Sequence, residues 1–295
     1  MDKIPVRLSV PGVALGLVAF ALYSVGDSLI RALGPGVPAY ELAFIGAVAS
    51  LVLSPLTLGG RVSLNALVRP NRWRWWCLRG LFAVGGTIAG IYAWSTLPLA
   101  ETSSILFINP LLTSALTPAL LAERVRRRDW IASTVGFAGV LMVLRPGFQH
   151  LAPGHICAVV CAACGAGTGL LLRATRTTET PAAMHGASVL SVILVAGIGT
   201  ACRFVLPAPA DMALIAGYTL FCGLAGIILM YAWRRGPAGL IAPTQYSQVI
   251  WGIALGYFCF AEIPNATTVW GALFVVLAGA VTLSGNSANS STPSA

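Results

Sequence analysis

Long apolar windows account for nearly the whole of this chain of 295 residues. A helix needs about 20 apolar residues to cross about 30 Å of hydrocarbon, and ten windows of about that length follow one another with short loops between them. Only 9% of the side chains are charged, which excludes an ordinary soluble enzyme. We therefore predict an all-α integral membrane protein with ten transmembrane helices. The predicted spans cover residues 11–32, 37–58, 73–96, 99–122, 130–144, 154–174, 181–205, 211–233, 238–261 and 269–284.

The basic residues are distributed unequally between the two sets of loops. Fourteen lysines and arginines fall at the N-terminus and in alternate loops, three fall in the loops of the other side, and Arg79 lies inside the third span. Because cytoplasmic loops carry the excess of Lys and Arg, we expect a multi-pass inner or plasma membrane protein with both termini in the cytoplasm. The net charge of +9 and the arginine run at 124–128 then anchor the chain to the membrane, and no nucleic-acid partner is expected. Residues 1–10 form the cytoplasmic N-terminus and residues 286–295 a disordered cytoplasmic tail.

The sequence contains an internal repeat. The Tyr-Ala-Trp motif at 92–94 recurs at 231–233, and the Ala-Glu pair at 122–123 recurs at 261–262, both after a shift of 139 residues. The match indicates that the first five predicted spans and the last five descend from one duplicated unit.

Residues 11–145 and 153–285 thus form two repeats of five predicted spans each. Because five is an odd number, the second repeat must enter the membrane from the side opposite to the first. Two inverted halves can open a shared site to either side in turn, with the substrate near the midplane of their interface. This organisation predicts a transporter that works by alternating access.

Three short segments carry a family resemblance. They are Ser-Ile-Leu-Phe-Ile-Asn-Pro at 104–110, Leu-Leu-Ala-Glu at 120–123 and Gly-Phe-Ala-Gly-Val at 136–140, and a degenerate second copy ends at Glu262 and at 278–279. This pattern resembles the EamA branch of the drug/metabolite transporter superfamily. The resemblance implies ten helices and the export or exchange of small metabolites, many of them amino acids. In overall size and pattern the chain is similar to the YddG-like aromatic amino-acid exporters.

Two amides occupy equivalent positions of the repeats, near the middle of the fourth and ninth predicted spans. The second copy departs from the family pattern, because Gln248 and Val249 stand where the first copy has Asn109 and Pro110. Pro110 has no N–H and leaves the carbonyl of Leu106 without its usual partner within the helix. A freed carbonyl beside amides can bind an amphipathic solute. The alternative is that the amides only join helices through interhelical hydrogen bonds and that the proline only bends its helix.

A polar stripe is expected on the ninth span. Gln245 and Trp251 lie three residues before and after Gln248, and Tyr246 is adjacent. An indole near the bilayer centre can stack on an aromatic or aliphatic solute while the amides bind its polar end. Packing of this indole in the protein core is the alternative.

The first span carries Tyr23 and Asp27 on one face, four residues apart. A buried carboxylate is costly, so one interpretation is an ion pair between Asp27 and Arg31 on the next turn. The other is an acid-rich outer mouth formed by Asp27 with Glu41 and Glu101, which would favour an ammonium-bearing or cationic solute and provide a site for a proton. We expect electrostatic lining rather than obligatory proton coupling.

Two glutamates, Glu123 and Glu262, end the fourth and ninth spans on opposite sides of the membrane. Their matching positions predict a structural or gating contact with an arginine or a backbone N–H, and Pro110 and Glu101 are assigned to the same structural group. Cys157, Cys161 and Cys164 share one apolar helix face and are expected to pack rather than to bind a metal. No cofactor is expected.

The sequence as a whole predicts an alternating-access exporter of small amphipathic metabolites, most readily aromatic or other neutral amino acids. Its partners would be this small-molecule substrate and the lipid bilayer, and the sequence does not distinguish a monomer from a homodimer. Export of other metabolites or drugs, such as amines, nucleosides or sugars, by proton antiport is the alternative. A membrane-embedded enzyme is a further interpretation, but the chain lacks the catalytic motifs H-E-x-x-H and G-x-S-x-G. A channel is another, and it would show flux that does not saturate.

Overall fold

The computed structural model describes residues 9–57, 64–121, 152–236 and 241–263, with isolated helical residues between 130 and 142 and between 266 and 277. All regular secondary structure in these described parts is helical, and they contain no β-strand. The α-helices are α1 (Ser9–Leu33), α2 (Ala39–Thr57), α3 (Leu64–Val68), α4 (Trp73–Thr96), α5 (Leu99–Ile105), α6 (Ile108–Leu121), α7 (Pro153–Ala174), α8 (Pro181–Cys202), α9 (Met212–Arg235) and α10 (Ser247–Phe260).

Six helical segments of the described chain are long and apolar enough to cross a membrane, and α2 adds a shorter apolar helix. Such segments satisfy every backbone N–H and C=O internally, which is what hydrocarbon requires of a spanning chain. The predicted bounds of the third span agree with those of α4, Trp73–Thr96. The predicted spans at 130–144 and 269–284 lie largely outside the described residues, so the count of ten remains a prediction. The candidate spans are Gly12–Gly36, Trp73–Thr96, Leu99–Leu121, Pro153–Ala174, Pro181–Cys202 and Pro209–Arg235.

The fourth predicted span is not one continuous helix. It is divided into α5 and α6 by a turn at Leu106 and Phe107. Pro110 explains the break, because it cannot donate the hydrogen bond that would continue the helix past the Leu106 carbonyl. That carbonyl instead accepts the Asn109 N–H at 3.0 Å, in the tighter pattern of a 3₁₀ turn. The ninth predicted span is also irregular, since a 3₁₀ helix at Ala242–Tyr246 precedes α10.

Small residues let the helices approach closely. Cys164 packs on Gly86 and Cys161 on Gly90 where α7 crosses α4, in agreement with a packing role for these cysteines. On α10, a Cβ at Gly252 would lie 2.5 Å from the Ser103 hydroxyl of α5. Helix contacts of this kind pack α4 against α7 and α10 against α5.

The two ends of the bundle differ in charge. At one end, Arg234 donates to the backbone carbonyl of Arg176, and Glu179 accepts the backbone N–H of Arg72. We call this the arginine-rich end and define it by Arg72, Arg74, Arg176 and Arg234. The starts of α4 and α8 and the ends of α7 and α9 lie here. Glu41, Glu101 and Glu262 lie at the opposite end, beside the start of α2, the start of α5 and the end of α10.

The glycine contacts can be tested for their contribution to stability. A Cβ at Gly186 of α8 would overlap the backbone of Leu67 in α3, which cannot rotate away as a flexible side chain would. We expect Gly186→Ala to lower the free energy of unfolding by about 1–3 kcal/mol, the usual cost of overpacking. Gly36→Ala is the matched control, because a Cβ there has no heavy atom within 4 Å. Thermal unfolding of the detergent-purified proteins measures both, and equal stability of the two variants would contradict the prediction.

Candidate functional site

An internal cavity of about 360 Å³ lies between the helices of the bundle. Its walls are mainly apolar and come from α1, α2, α4, α7, α8 and α9, together with the two irregular segments around residues 106 and 245. A few polar side chains interrupt this apolar lining, which is the usual composition of a small-molecule site. They include Tyr23, Asp27, Arg79, Asn109, Thr168, His185, Tyr218, Gln245 and Gln248.

The central polar contact joins α1 to α10. Gln248 donates from Nε2 to Oδ2 of Asp27 at 2.7 Å, and each of these residues is only 5% exposed. The interpretation that Asp27 pairs with Arg31 is wrong, because Arg31 forms an ion pair with Glu262 instead. Asp27 therefore borders the cavity with an amide partner and no cationic partner among the described residues. Tyr23, one turn earlier on α1, borders the same cavity.

The two helix irregularities meet each other. Gln245 donates a long hydrogen bond of 3.5 Å to the Leu106 carbonyl, and the rings of Phe107 and Tyr246 lie 5.1 Å apart. The Leu106 carbonyl, to which Pro110 cannot donate, thus has an amide beside it, as the sequence suggested. The amide of Gln245 donates to this carbonyl, so a solute is not needed to satisfy it. Tyr246 is buried against Phe107 and is not part of the cavity wall.

Asn109 borders the cavity with Gln245 and Gln248. Its Oδ1 accepts a hydrogen bond of 3.2 Å from the hydroxyl of Thr113, one turn further along α6. Its amide nitrogen lies against Gly165 of α7, where a larger side chain would displace it. Pro110 is buried beside it. Asn109 and Gln248, which the sequence places at equivalent positions of a predicted repeat, therefore both border the cavity, each held by a different partner.

Trp251 does not lie with the amides. It is 44% exposed on the outside of the bundle and does not border the cavity. The buried face of α10 includes Gln248, Gly252 and Gly256, which repeat every four residues, and the two glycines pack toward α5. Trp251 directly precedes Gly252, the middle of that stripe, and is therefore rotated about 100° away from it. The prediction that this indole contacts a solute in the cavity is therefore wrong for this arrangement of helices.

The acids of the opposite end are engaged with protein groups. Glu262 accepts from Arg31 Nε at 3.0 Å and from the Leu99 backbone N–H at 3.1 Å. Glu262 thus contacts an arginine and a backbone N–H, and its structural or gating role stays a prediction. Glu101 accepts from Nε2 of His155 at 2.9 Å. Neither glutamate borders the cavity, so its acid lining comes from Asp27.

Glu41 also differs from the expectation of an exposed acid-rich mouth. It is completely buried and accepts the backbone N–H of Val205 at 3.1 Å. Like the other two acids it holds helix ends together, and the predicted mouth is reduced to one carboxylate facing the cavity. Glu123 lies outside the described residues.

Several polar residues of the cavity were missed from the sequence, and two of them can carry a positive charge. Arg79 and His185 both border the cavity, and Arg79 donates from Nη1 to the hydroxyl of Thr168 at 3.2 Å. A lone arginine inside an apolar span was the available signal, because a charge in hydrocarbon is costly and marks a functional position by default. His185 gave no such signal, since it lies only four residues into its helix.

An apolar helical bundle that encloses a small, partly polar cavity defines a membrane protein that handles a small molecule within the bilayer. Residues 10–145 match the model of the EamA-like transporter family. A solved crystal structure has the same fold with a TM-score of 0.70 at 20% identity, covering 92% of this chain and 95% of that chain.

Two characterised groups of proteins are similar along most of the chain. An S-adenosylmethionine uptake transporter of Rickettsia bellii is 25% identical over 266 residues, covering 90% of each chain. The pseudopaline exporter of Pseudomonas aeruginosa is 23% identical over 275 residues, covering 90% of this chain and 94% of that protein. The family match covers residues 10–145, and the similarities to these two transporters extend over 90% of the chain, so the chain is similar to membrane transporters of small metabolites.

The contact between Gln248 and Asp27 can be tested by a double-mutant cycle. Gln248→Leu leaves the Asp27 carboxyl buried without its donor, and we expect it to lower the free energy of unfolding by about 1–3 kcal/mol. In an Asp27→Leu background the same substitution should cost much less, because no carboxyl is left unpaired. Thermal unfolding in detergent gives the four stabilities, and simple additivity would show that the two side chains do not interact. Trp251→Leu on the outer face of the same helix is the control for general damage to α10.

Proposed function

We propose that this protein exports small amphipathic metabolites by alternating access, with aromatic or other neutral amino acids as the preferred class. The observation that carries the proposal is the cavity of about 360 Å³ between the helices, in which one carboxylate of the described residues, held by Gln248, faces an otherwise mainly apolar wall. This volume is in the range of about 300–1,000 Å³ that small-molecule sites occupy.

The lining supports an amphipathic solute. Phe20, Trp94 and Trp233 contribute aromatic surface to the wall, which suits a ring or a branched aliphatic chain. The Asp27 carboxylate suits an ammonium group, because buried charges are stable only when paired. Asn109 and Gln245 add amide groups that orient a polar end through hydrogen bonds.

The meeting of the two irregular segments supports an inverted-repeat mechanism. Leu106 and Gln245 are 139 residues apart, which is the shift that relates the two repeats, and they contact each other at the cavity. Interrupted helices at the interface of inverted repeats are the usual site of substrate binding in carriers. In this proposal, the halves 11–145 and 153–285 exchange conformations around the cavity. Rocking about these irregular segments would require few new backbone hydrogen bonds.

The arginine-rich end is taken as the cytoplasmic side, since its arginines match the loop asymmetry of the sequence. Both termini then lie in the cytoplasm of the inner membrane. The Arg31–Glu262 ion pair would close the opposite, outer end and would have to separate for release. Glu123 keeps its predicted role as the corresponding contact at the inner end.

The similar proteins agree with a metabolite carrier but differ in direction. One is named for uptake of S-adenosylmethionine and another for export of pseudopaline. S-Adenosylmethionine has an α-amino-acid end, which favours an amino-acid-like substrate here. Export is proposed from the resemblance of the chain to amino-acid exporters, so the direction must be tested separately from the substrate.

Uptake into proteoliposomes tests the proposal with a panel of labelled L-phenylalanine, L-leucine, 2-phenylethylamine and glucose at controlled pH. We expect saturable uptake and counterflow for the amino acids and none for glucose. Asp27→Asn should lower amino-acid uptake about tenfold or more, because it removes the negative charge that faces the ammonium group. Trp251→Ala, on the outer face, should transport normally.

Unsaturable flux without counterflow would indicate a channel and contradict the carrier mechanism. Normal uptake by Asp27→Asn would show that the Asp27 carboxylate does not bind the substrate. Both measurements use the same reconstituted protein, so a failure of the mechanism and a failure of the site assignment give different results.

Proton-coupled export of an amine or another metabolite is a second candidate. The observation that favours it is that Asp27 borders the cavity with no cationic partner within the described residues, so it is available to a proton as well as to an ammonium group. Counterflow measured with and without an imposed pH gradient separates the two candidates. A facilitator should accumulate no substrate in response to the gradient, whereas an antiporter should accumulate it. We expect the first result.

A further inference from the structure

A second polar region of the cavity lies toward the arginine-rich end. Arg79 is six residues from the start of α4, and Thr168 is six residues from the end of α7. At 1.5 Å per residue, each is about 9 Å from the end of its helix. His185 is four residues from the start of α8 at the same end of the bundle. Three helices therefore bring an arginine, a hydroxyl and an imidazole to one part of the wall.

Two nitrogens in this region are buried without a hydrogen-bond partner. They are Nε of Arg79 and Nε2 of His185, and His185 as a whole is only 8% exposed. Arg79 uses Nη1 for Thr168 and is in neither of the ion pairs of the described residues. A buried guanidinium with an unused N–H is costly unless a ligand satisfies it, because a lost hydrogen bond to a charged group is expensive.

The carboxylate at Asp27 does not fill this role. Asp27 is six residues before the end of α1, at the opposite end of the cavity, and it is held there by Gln248. Arg79 and Asp27 therefore lie toward different ends of one cavity and do not neutralise each other by direct contact. The arrangement leaves a positive site at the arginine-rich end and a negative site at the other.

We propose that Arg79, Thr168 and His185 form a binding site for an oxyanion group, a carboxylate or a phosphate, of the transported solute. The proposal rests on the proposed transport function and adds a second requirement to its substrate. Arg79 would donate to the oxyanion from Nε, and Thr168 would hold the guanidinium in place through its hydroxyl. An anion at this position favours the protonated imidazole of His185, in which Nε2 also donates.

The site adds a step to the proposed path. A solute entering from the arginine-rich end would first bind through its anionic group at Arg79 and then through its ammonium group at Asp27. For an α-amino acid, whose two charged groups are close together, these are successive contacts rather than simultaneous ones. Analogues that lack one charged group should therefore separate the two sites.

Binding to the purified full-length protein tests the site without requiring transport. The ligands are 3-phenylpropionate, phenyl phosphate and 2-phenylethylamine, which share a phenyl ring and differ in the charged group. The measurement is the ligand concentration that gives half of the maximal rise in the thermal unfolding midpoint. We expect the anions to stabilise the wild type, and the more effective of the two identifies the group as carboxylate or phosphate.

The variants assign the effect to Arg79. Arg79→Gln should raise the half-saturating concentration of the anions about tenfold or more and leave that of the amine unchanged. Arg79→Lys should retain part of the anion binding, and His185→Leu should weaken it about threefold, as expected for one hydrogen bond. Arg74→Gln is the matched control, because this arginine is exposed on the same helix and lies over the ring of Trp75. It should bind the anions as the wild type does.

Two results would overturn the proposal. The first is the absence of stabilisation of the wild type by either anion. The second is a set of Arg79 variants that does not separate the anions from the amine. Either Arg79→Gln binds the anions as the wild type does, or both variants lose anion and amine binding equally, which would indicate a structural role. Transport of L-phenylalanine is measured in parallel in proteoliposomes. Failure of that transport with intact anion binding would contradict the proposed function and leave the oxyanion site standing.

Discussion

The backbone of a chain in hydrocarbon must satisfy its own hydrogen bonds, and this constraint governs the rest of the structure. It makes nearly every described segment a helix, and it allows interruptions only where other protein groups can serve the exposed backbone. The break between α5 and α6 meets this requirement. Its Leu106 carbonyl accepts from Asn109 within the turn and from Gln245 across the interface. The interruption is therefore tied to the cavity.

The same constraint separates structural charges from charges that face the cavity. Glu41, Glu101 and Glu262 are bound by backbone N–H groups, a histidine and an arginine at helix ends. Their charge is used to hold elements together. Asp27 and Arg79 instead border the enclosed space, one toward each end. In the proposed function, a cavity with this polarity would select its solutes by the charges they carry as well as by their apolar surface.

Some residues of the site were predictable from the sequence. They either matched a residue in the other half of the predicted repeat or placed a charged group where burial in hydrocarbon is energetically unfavourable. Asn109 and Gln248 were found because they are equivalent positions in the repeat, and Asp27 because a carboxylate within an apolar span is costly. Trp251 was misplaced because the buried face of α10 is centred on Gly252, so the residue directly before it turns outward, and the sequence spacing did not show which face is buried. The ion pair between Arg31 and Glu262 joins residues 231 positions apart, so no local pattern could indicate it.

By itself, the sequence determined the lipid environment of this protein and the positions of most described helices, because hydropathy and proline act locally along the chain, and the duplication of its halves stays a prediction. Only the tertiary structure decided which polar groups share the cavity. That outcome depends on how each helix is rotated, and rotation is set by contacts between distant segments, such as that of Gly252 with Ser103. For the same reason the pairing of Arg79 with Thr168 became visible only after α4 and α7 had been brought together.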